Sequence, residues 1–136
     1  GKVQVLNVHL RPALSKSGQS WWDANAETRA PRVQEMREYR GRIAADLPTI
    51  IGGDFNEVGG APLFDVLSKA GFDNAFTVAE VTTSTWRWLE RPSELNAQLD
   101  HVAYTRTAFR VAEAKVALGG NSDHLPVVVK LERASE

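Results

Sequence analysis

The sequence contains no cysteine. That excludes disulfides, thiolate metal sites and a thiol nucleophile, and it leaves the compartment open. Histidine is scarce, with three in 136 residues, so a closed structural zinc site built without thiolates is disfavoured. No run of about 18 apolar residues occurs, so no segment reads as a membrane-spanning helix. No basic-then-apolar signal segment opens the chain either, and localisation stays unassigned. An excess of one charge is also missing: 16 Lys and Arg stand against 17 Asp and Glu, a net charge of −1. A global basic footprint for nonspecific nucleic-acid binding is therefore absent. The chain has no Walker P-loop, no Gly-x-Ser-x-Gly elbow and no His-Glu-x-x-His helix.

What remains is globular composition, 43% apolar and 24% charged, in a length that suits one domain over 1–136. Val3–Leu10 reads as a strand, with Leu6, Val8 and Leu10 on one face and Val3, Val5, Asn7 and His9 on the other. Residues 12–28 read as a polar loop interrupted by Trp21-Trp22, which form either a substrate-contacting wall or a cover for the core. A helix is predicted from a Thr28 cap to Pro48. Val33, Met36, Tyr39, Ile43 and Leu47 recur along it at helical spacing, with Gly41 inside it and Arg37 and Arg42 on a basic, solvated side. Thr49–Gly53 reads as a buried strand. A helix opens at Pro62 and stops before Gly71. The second half changes period, with strands predicted over Thr83–Leu89, Gln98–Thr105, Phe109–Leu118 and Val127–Glu132. Trp86 and Trp88 share a face in the first of these and read as sheet-face packing. The expected fold class is α+β, a mixed and mainly antiparallel sheet with helices on one face.

Four short segments carry the chemistry: Asn7-Val8-His9-Leu10, Gly53-Asp54-Phe55-Asn56, Leu99-Asp100-His101-Val102 and Ser122-Asp123-His124-Leu125-Pro126. Asp54 and Asn56 fall on one side as an extended strand ends. The carboxylate can bind a metal or deprotonate a water, and the amide can donate to a phosphoryl oxygen. Alone, this segment is equally an Asx-type turn. Asp123 and His124 point apart on an extended backbone and would serve different partners. Asp123 suits a hard cation, and His124 a phosphate or an attacking water. Asp100 sits in an apolar strand and needs a partner; it can hold His124 in one tautomer. His9 can contact a phosphate or protonate a leaving oxygen, while His101 reads as structural. Oxygen-rich ligands favour Mg²⁺ or Mn²⁺.

In this order the four segments resemble the endonuclease/exonuclease/phosphatase superfamily, and the likeness runs along essentially the whole chain. The resemblance implies that Asp54 orients or activates the attacking water and Asn56 binds the phosphoryl oxygen. His124, held by Asp100, would contact the phosphate; Asp123 would bind the divalent metal; His9 would stabilise the phosphate or the leaving group. It also implies a four-layer αββα sandwich of two similar halves, of which these motifs match only the second, C-terminal half. The first half of that fold supplies an Asn and a metal-ligating Glu with no matching context here. Glu57 follows Asn56 but lies outside the family pattern. The chain opens on Gly1 rather than Met, and a fragment of a larger hydrolase is expected.

Two functions follow. One is a Mg²⁺- or Mn²⁺-dependent phosphoester hydrolase acting on nucleic acid, phospholipid or inositol phosphate, completed by a missing N-terminal half. The other is a noncatalytic module that pairs an exposed sheet face with a second copy and keeps only remnants of a site. A calcineurin-like metallophosphatase fits less well, because its Gly-Asn-His-Asp/Glu segment is absent.

Overall fold

Period-two alternation gives the first strand two different faces, and the fold uses both. The computed structural model describes residues 1–14, 16–88 and 95–134. In chain order the elements are β1 (Gln4–His9), α1 (Trp21–Glu27), α2 (Arg29–Arg40), β2 (Thr49–Asp54), α3 (Pro62–Lys69), β3 (Phe72–Asn74), α4 (Ala75–Val78), β4 (Trp86–Arg87), β5 (Asn96–Ala97), β6 (Asp100–Thr105), β7 (Phe109–Val116) and β8 (Val127–Arg133). Strands β1, β2, β6 and β3 form one sheet in that order. β1 and β2 run parallel, and β6 pairs antiparallel with both β2 and β3. The fold is thus mixed, mainly antiparallel, with the helices gathered on one face. No helix among the described residues is long and apolar enough to cross a membrane.

On the helix side, Val8, Leu10, Ile51 and Ala103 pack with Met36 of α2 and Leu63 and Leu67 of α3, around Phe55 and Phe72. Full burial of each large side chain contributes roughly 1.5–3 kcal/mol. The other face does not lie bare. The β7–β8 hairpin packs over Tyr104, Ile50 and Val102 through Phe109, Val111, Ala114, Val129 and Leu131. This makes three layers, helix over sheet over hairpin. The expected exposed apolar face shrinks to the β1 edge, where Val5 is 71% exposed.

Three local readings are corrected. Residues 12–28 are not all loop, since Ser20 caps α1: its Oγ accepts from the Asp23 amide and donates to the Asp23 carboxylate. Ser15, in the same stretch, lies outside the described residues. The long second helix stops at Arg40, with Gly41 as its cap. Beyond it the amides of Arg42 and Ile43 reach back only three residues, to Tyr39 and Arg40. Glycine's backbone entropy makes that the cheapest place for the helix to end. Thr83–Leu89 contributes only β4, which pairs with β5; Leu89 lies outside the described residues. Gly71, past the end of α3, takes a φ of +88° and suits its expected C-terminal role.

His101 points into the helix-side core, ringed by Phe55, Phe64 and Phe76. Its Nε2 lies 2.9 Å from the Glu57 carbonyl and 3.1 Å from that of Gln98. Nδ1 lies 3.1 Å from the Asn74 amide nitrogen. Two carbonyls on one side and an amide donor on the other suit the neutral Nε2–H tautomer. Burial pushes the His101 pKa below its ordinary 6.5, outweighing the carbonyls and the acidic neighbours.

Two predictions follow from these packing constraints. Gly53 has a φ of +139°, and a Cβ there would collide with the Val8 carbonyl and come within 2.9 Å of Asn7 Oδ1. Gly53→Ala should therefore cost more than about 2 kcal/mol in urea unfolding. The second concerns pH. With a depressed folded pKa, the unfolded chain binds the His101 proton first as pH falls. Stability is then full above 6.5 and declines below it until the folded pKa is passed. Unfolding midpoints compared between pH 7.5 and pH 5 should fall more for the wild type than for His101→Gln.

Candidate active site

Strand register assembles the site. His9 pairs across the sheet with Asp54, and Asp54 pairs with Asp100. Paired residues point to one face, so an imidazole and two carboxylates form a row where β1 and β2 end and β6 begins. His9 Nε2 lies 3.6 Å from Asp54 Oδ2. The loop before β8 brings in His124, whose Nδ1 sits 2.8 Å from Asp100 Oδ2 and whose Nε2 faces Asp54 Oδ2 at 3.9 Å. Ligand atoms of Asp54, Asp100 and His124 all fall within 4.8 Å of one another. Burial raises the Asp54 pKa above its ordinary 3.8; the Asn56 amide opposes this, Asp100 adds to it, and His124 and His9 oppose it. A positive charge beside Asp54 would therefore favour its ionised form.

The remaining expected residues are placed differently. Asn56 has a φ of +49°, and its side-chain amide donates to the Leu10 carbonyl at 2.9 Å and to Asp54 Oδ2 at 3.1 Å. Its backbone amide donates to Asp54 Oδ1 at 2.8 Å. Asn56 thus orients Asp54 from both ends. Asp123 borders the same cleft but stands apart from the three-residue cluster, and its carboxylate accepts from the Trp86 indole N–H at 3.3 Å. Trp86 also forms a bridge to His124.

Four supporting residues had no role in the sequence reading. Arg32 and Glu57 are 0% and 1% exposed and face each other at 2.8 Å. Arg32 also donates to the carbonyl and side-chain oxygen of Asn25, to Thr28 Oγ1 and to the Arg11 carbonyl. Asn25 in turn donates to the Asn56 carbonyl at 2.9 Å. One buried guanidinium therefore ties the end of β1, both helices and the loop after β2 together beneath Asn56. Thr85 does similar work on the other side: its hydroxyl accepts from the amides of Leu99 and Asp100, each at 2.9 Å, and its carbonyl accepts from Leu125. The signals for these residues were weak. Ser20-x-x-Asp23 marks a helix start that places Asn25, whereas nothing local marks Arg32 as buried.

Removing one partner of a buried ion pair leaves an uncompensated charge. Glu57→Gln should therefore lower stability by about 3–5 kcal/mol. The double change Arg32→Met with Glu57→Leu removes the unpaired charge but strands the Arg11 and Asn25 oxygens, so it should stay less stable than the wild type, as read by chemical denaturation of the three proteins.

Known proteins share this fold. The family profile described as Endonuclease/Exonuclease/phosphatase family matches residues 3–124. Curated proteins give no match. Among solved structures, a functionally unknown conserved protein from Enterococcus faecalis V583 aligns with TM-score 0.66 and 20% identity, over 96% of this chain and 50% of its own. The human nocturnin catalytic domain with bound sulfate aligns with TM-score 0.59 and 20% identity, over 94% and 46%. The 3′ phosphatase NExo from Neisseria, bound to product DNA hairpin, aligns with TM-score 0.60 and 18% identity, over 94% and 60%. The chain thus spans about half the length of the first two and somewhat more of the third. With the profile covering most of its length, the chain belongs to the endonuclease/exonuclease/phosphatase family.

Proposed function

We propose that residues 1–136 form one domain, the C-terminal half of a divalent-metal-dependent phosphoester hydrolase. The observation that carries the reading is the alignment of His9, Asp54 and the Asp100–His124 pair at one end of the sheet. Asp54 orients and deprotonates the attacking water, and Asn56 holds Asp54 while lying at the edge of the phosphoryl group. Asp100 fixes the His124 tautomer, so Nε2 is free to face the phosphate as negative charge develops. His9, with its side chain 73% exposed, meets the phosphate or the departing oxygen. Two carboxylates, one imidazole and nearby Asp123 suit Mg²⁺ or Mn²⁺, held by Asp54 with Asp123 or Asp100. Such an ion would supply Lewis-acid polarisation of a phosphoryl oxygen.

The nocturnin domain was solved with an anion and NExo with a DNA product. Both are in keeping with an anion-handling site, and the second supports nucleic acid as one of the phosphoesters proposed for this chain. The missing N-terminal half would complete the ligand set with its Glu.

The second reading, a noncatalytic self-associating module, draws on one observation. β1 is an edge strand, and Val5 on it and Val3 just before it lie exposed, at 71% and 40%. A second copy could pair there.

Hydrolysis of bis-p-nitrophenyl phosphate with Mg²⁺ or Mn²⁺ tests the first reading, on this chain and on a protein carrying the preceding half. Asp54→Ala should reduce kcat/KM by at least about 100-fold wherever turnover is seen. Binding offers a check independent of turnover. Mn²⁺ should broaden the His124 ring resonances of this chain, and Asp54→Ala should abolish the broadening. No broadening, no turnover in either protein, and a metal-free dimer by sedimentation would together replace the first reading with the second.

A further inference from the structure

A second cavity lies at the other end of the sheet, away from the chemistry described so far. It measures about 290 Å³ and opens where β2 begins and β6 ends, beside Thr49 and Thr105. Ile43, Leu47 and Phe72 give it apolar walls. Its rim is held by hydrogen bonds. The Gln4 side chain donates to the Ala44 carbonyl at 3.2 Å and to Thr49 Oγ1 at 2.9 Å, and it accepts from the Ala44 amide at 3.1 Å. Thr105 Oγ1 accepts from the Thr49 amide at 2.9 Å. Among the described residues no Asp or Glu lines this cavity, and its one charged residue is Arg40. Arg40 is half-buried, with Cζ 5.7 Å from the centroid of the Phe72 ring. Its Nε is buried and finds no acceptor. Arg32 and Arg106 are matched by Glu57 and Asp73, whereas no carboxylate among the described residues matches Arg40.

We propose that this cavity binds a small organic anion, one carboxylate or phosphate on an apolar body, with Arg40 as its counter-ion. The length of β2, Thr49–Asp54, separates it from the candidate active site, roughly 17 Å. The inference therefore stands or falls without the phosphoesterase reading. Basic residues in a last helical turn complement the helix dipole, and that accounts for Arg37, which stays exposed. It does not account for Arg40, whose Nε gives up water without gaining an acceptor, an unfavourable exchange. The Phe72 ring offsets part of that loss. An anion beside the guanidinium would offset the rest, because the planar fork of arginine matches carboxylate and phosphate alike. Thr107 is exposed at the rim and can turn its hydroxyl to the same anion. At about 30 Å³ per water, the space suits a body of roughly ten heavy atoms. An inorganic anion would leave the apolar walls uncovered, and a neutral body would leave Arg40 unmatched.

Benzoate and benzyl alcohol share a ring, and only benzoate carries a charge; phenyl phosphate offers the other headgroup. Each is titrated into the metal-free chain. NMR follows the methyl signals of Ile43, in the cavity, and Ile51, in the helix-side core, together with the His124 ring. The expected result is that the better of the two anions shifts Ile43 and binds about ten-fold or more tightly than benzyl alcohol, as one charge-assisted hydrogen bond should give. The tighter of the two identifies the headgroup. Arg40→Met, which keeps the packing over Phe72 without the charge, should erase the difference from benzyl alcohol. Arg42→Met, exposed in the segment that follows, should preserve it, and an unmoved Ile51 signal shows that each variant is folded. If neither anion moves Ile43, if both bind no tighter than benzyl alcohol, or if both bind Arg40→Met as tightly as the wild type, the site is overturned and Arg40 is a packing group over Phe72. Shifts confined to the His124 ring overturn it equally and assign the anion to the candidate active site.

Discussion

Everything at the candidate site depends on the closeness of β1 and β2 at Gly53. The parallel pair brings Val8 opposite a residue with no Cβ. That lets the strands run in register through their last residues, so His9 and Asp54 end on the same row. β6 then extends the row to Asp100. A slip of one residue would turn each of these side chains to the helix face, where the core is already filled. The register is thus held by two demands at once, apolar packing on one face and a glycine contact at the strand end.

The loops that follow the strands need a different kind of support. A loop carries backbone groups that no ladder satisfies, and close to an active site many of them are buried. Here the polar side chains of Asn25, Arg32, Glu57 and Thr85 take up those groups. Buried ion pairs are weak evidence for net stability. The reason to keep this one is geometric: it fixes Asn56 in a left-handed conformation from which both its amides hold Asp54. The charged groups proposed to do chemistry and those that hold the loops are therefore separate sets that meet at Asn56.

The β7–β8 hairpin explains why half the length of related structures makes a layered fold. It covers the face opposite the helices and meets Tyr104, Ile50 and Val102 there. The loop leading into β8 then brings Asp123 and His124 back over the strand ends. β1 forms one edge of the four-stranded sheet, with Val5 exposed on it, and His9 ends the same strand.

Much of this was legible in the order of residues. Alternation in Val3–Leu10 and Gln98–Thr105, the proline openings and the four motifs gave the longer strands and α3 but not β3 or β5, and they named His9, Asp54, Asp100 and His124, which the fold brings together. Local chemistry dictates those features, because period, caps and strand-end carboxylates act over a few neighbours. Sequence missed the start of α1, although Ser20 and Asp23 signal it, and ran α2 through Gly41. It treated Glu57 as incidental and gave Arg32 no role. Those roles arise between residues 25 positions apart, and the pairing energy appears only once both groups are stripped of water. The same holds for the indoles: sequence supplied four tryptophans in two clusters, and the tertiary fold decided that Trp21 and Trp86 would stack on each other. Short-range pattern determined which residues could do chemistry; burial and long-range register decided which of them meet.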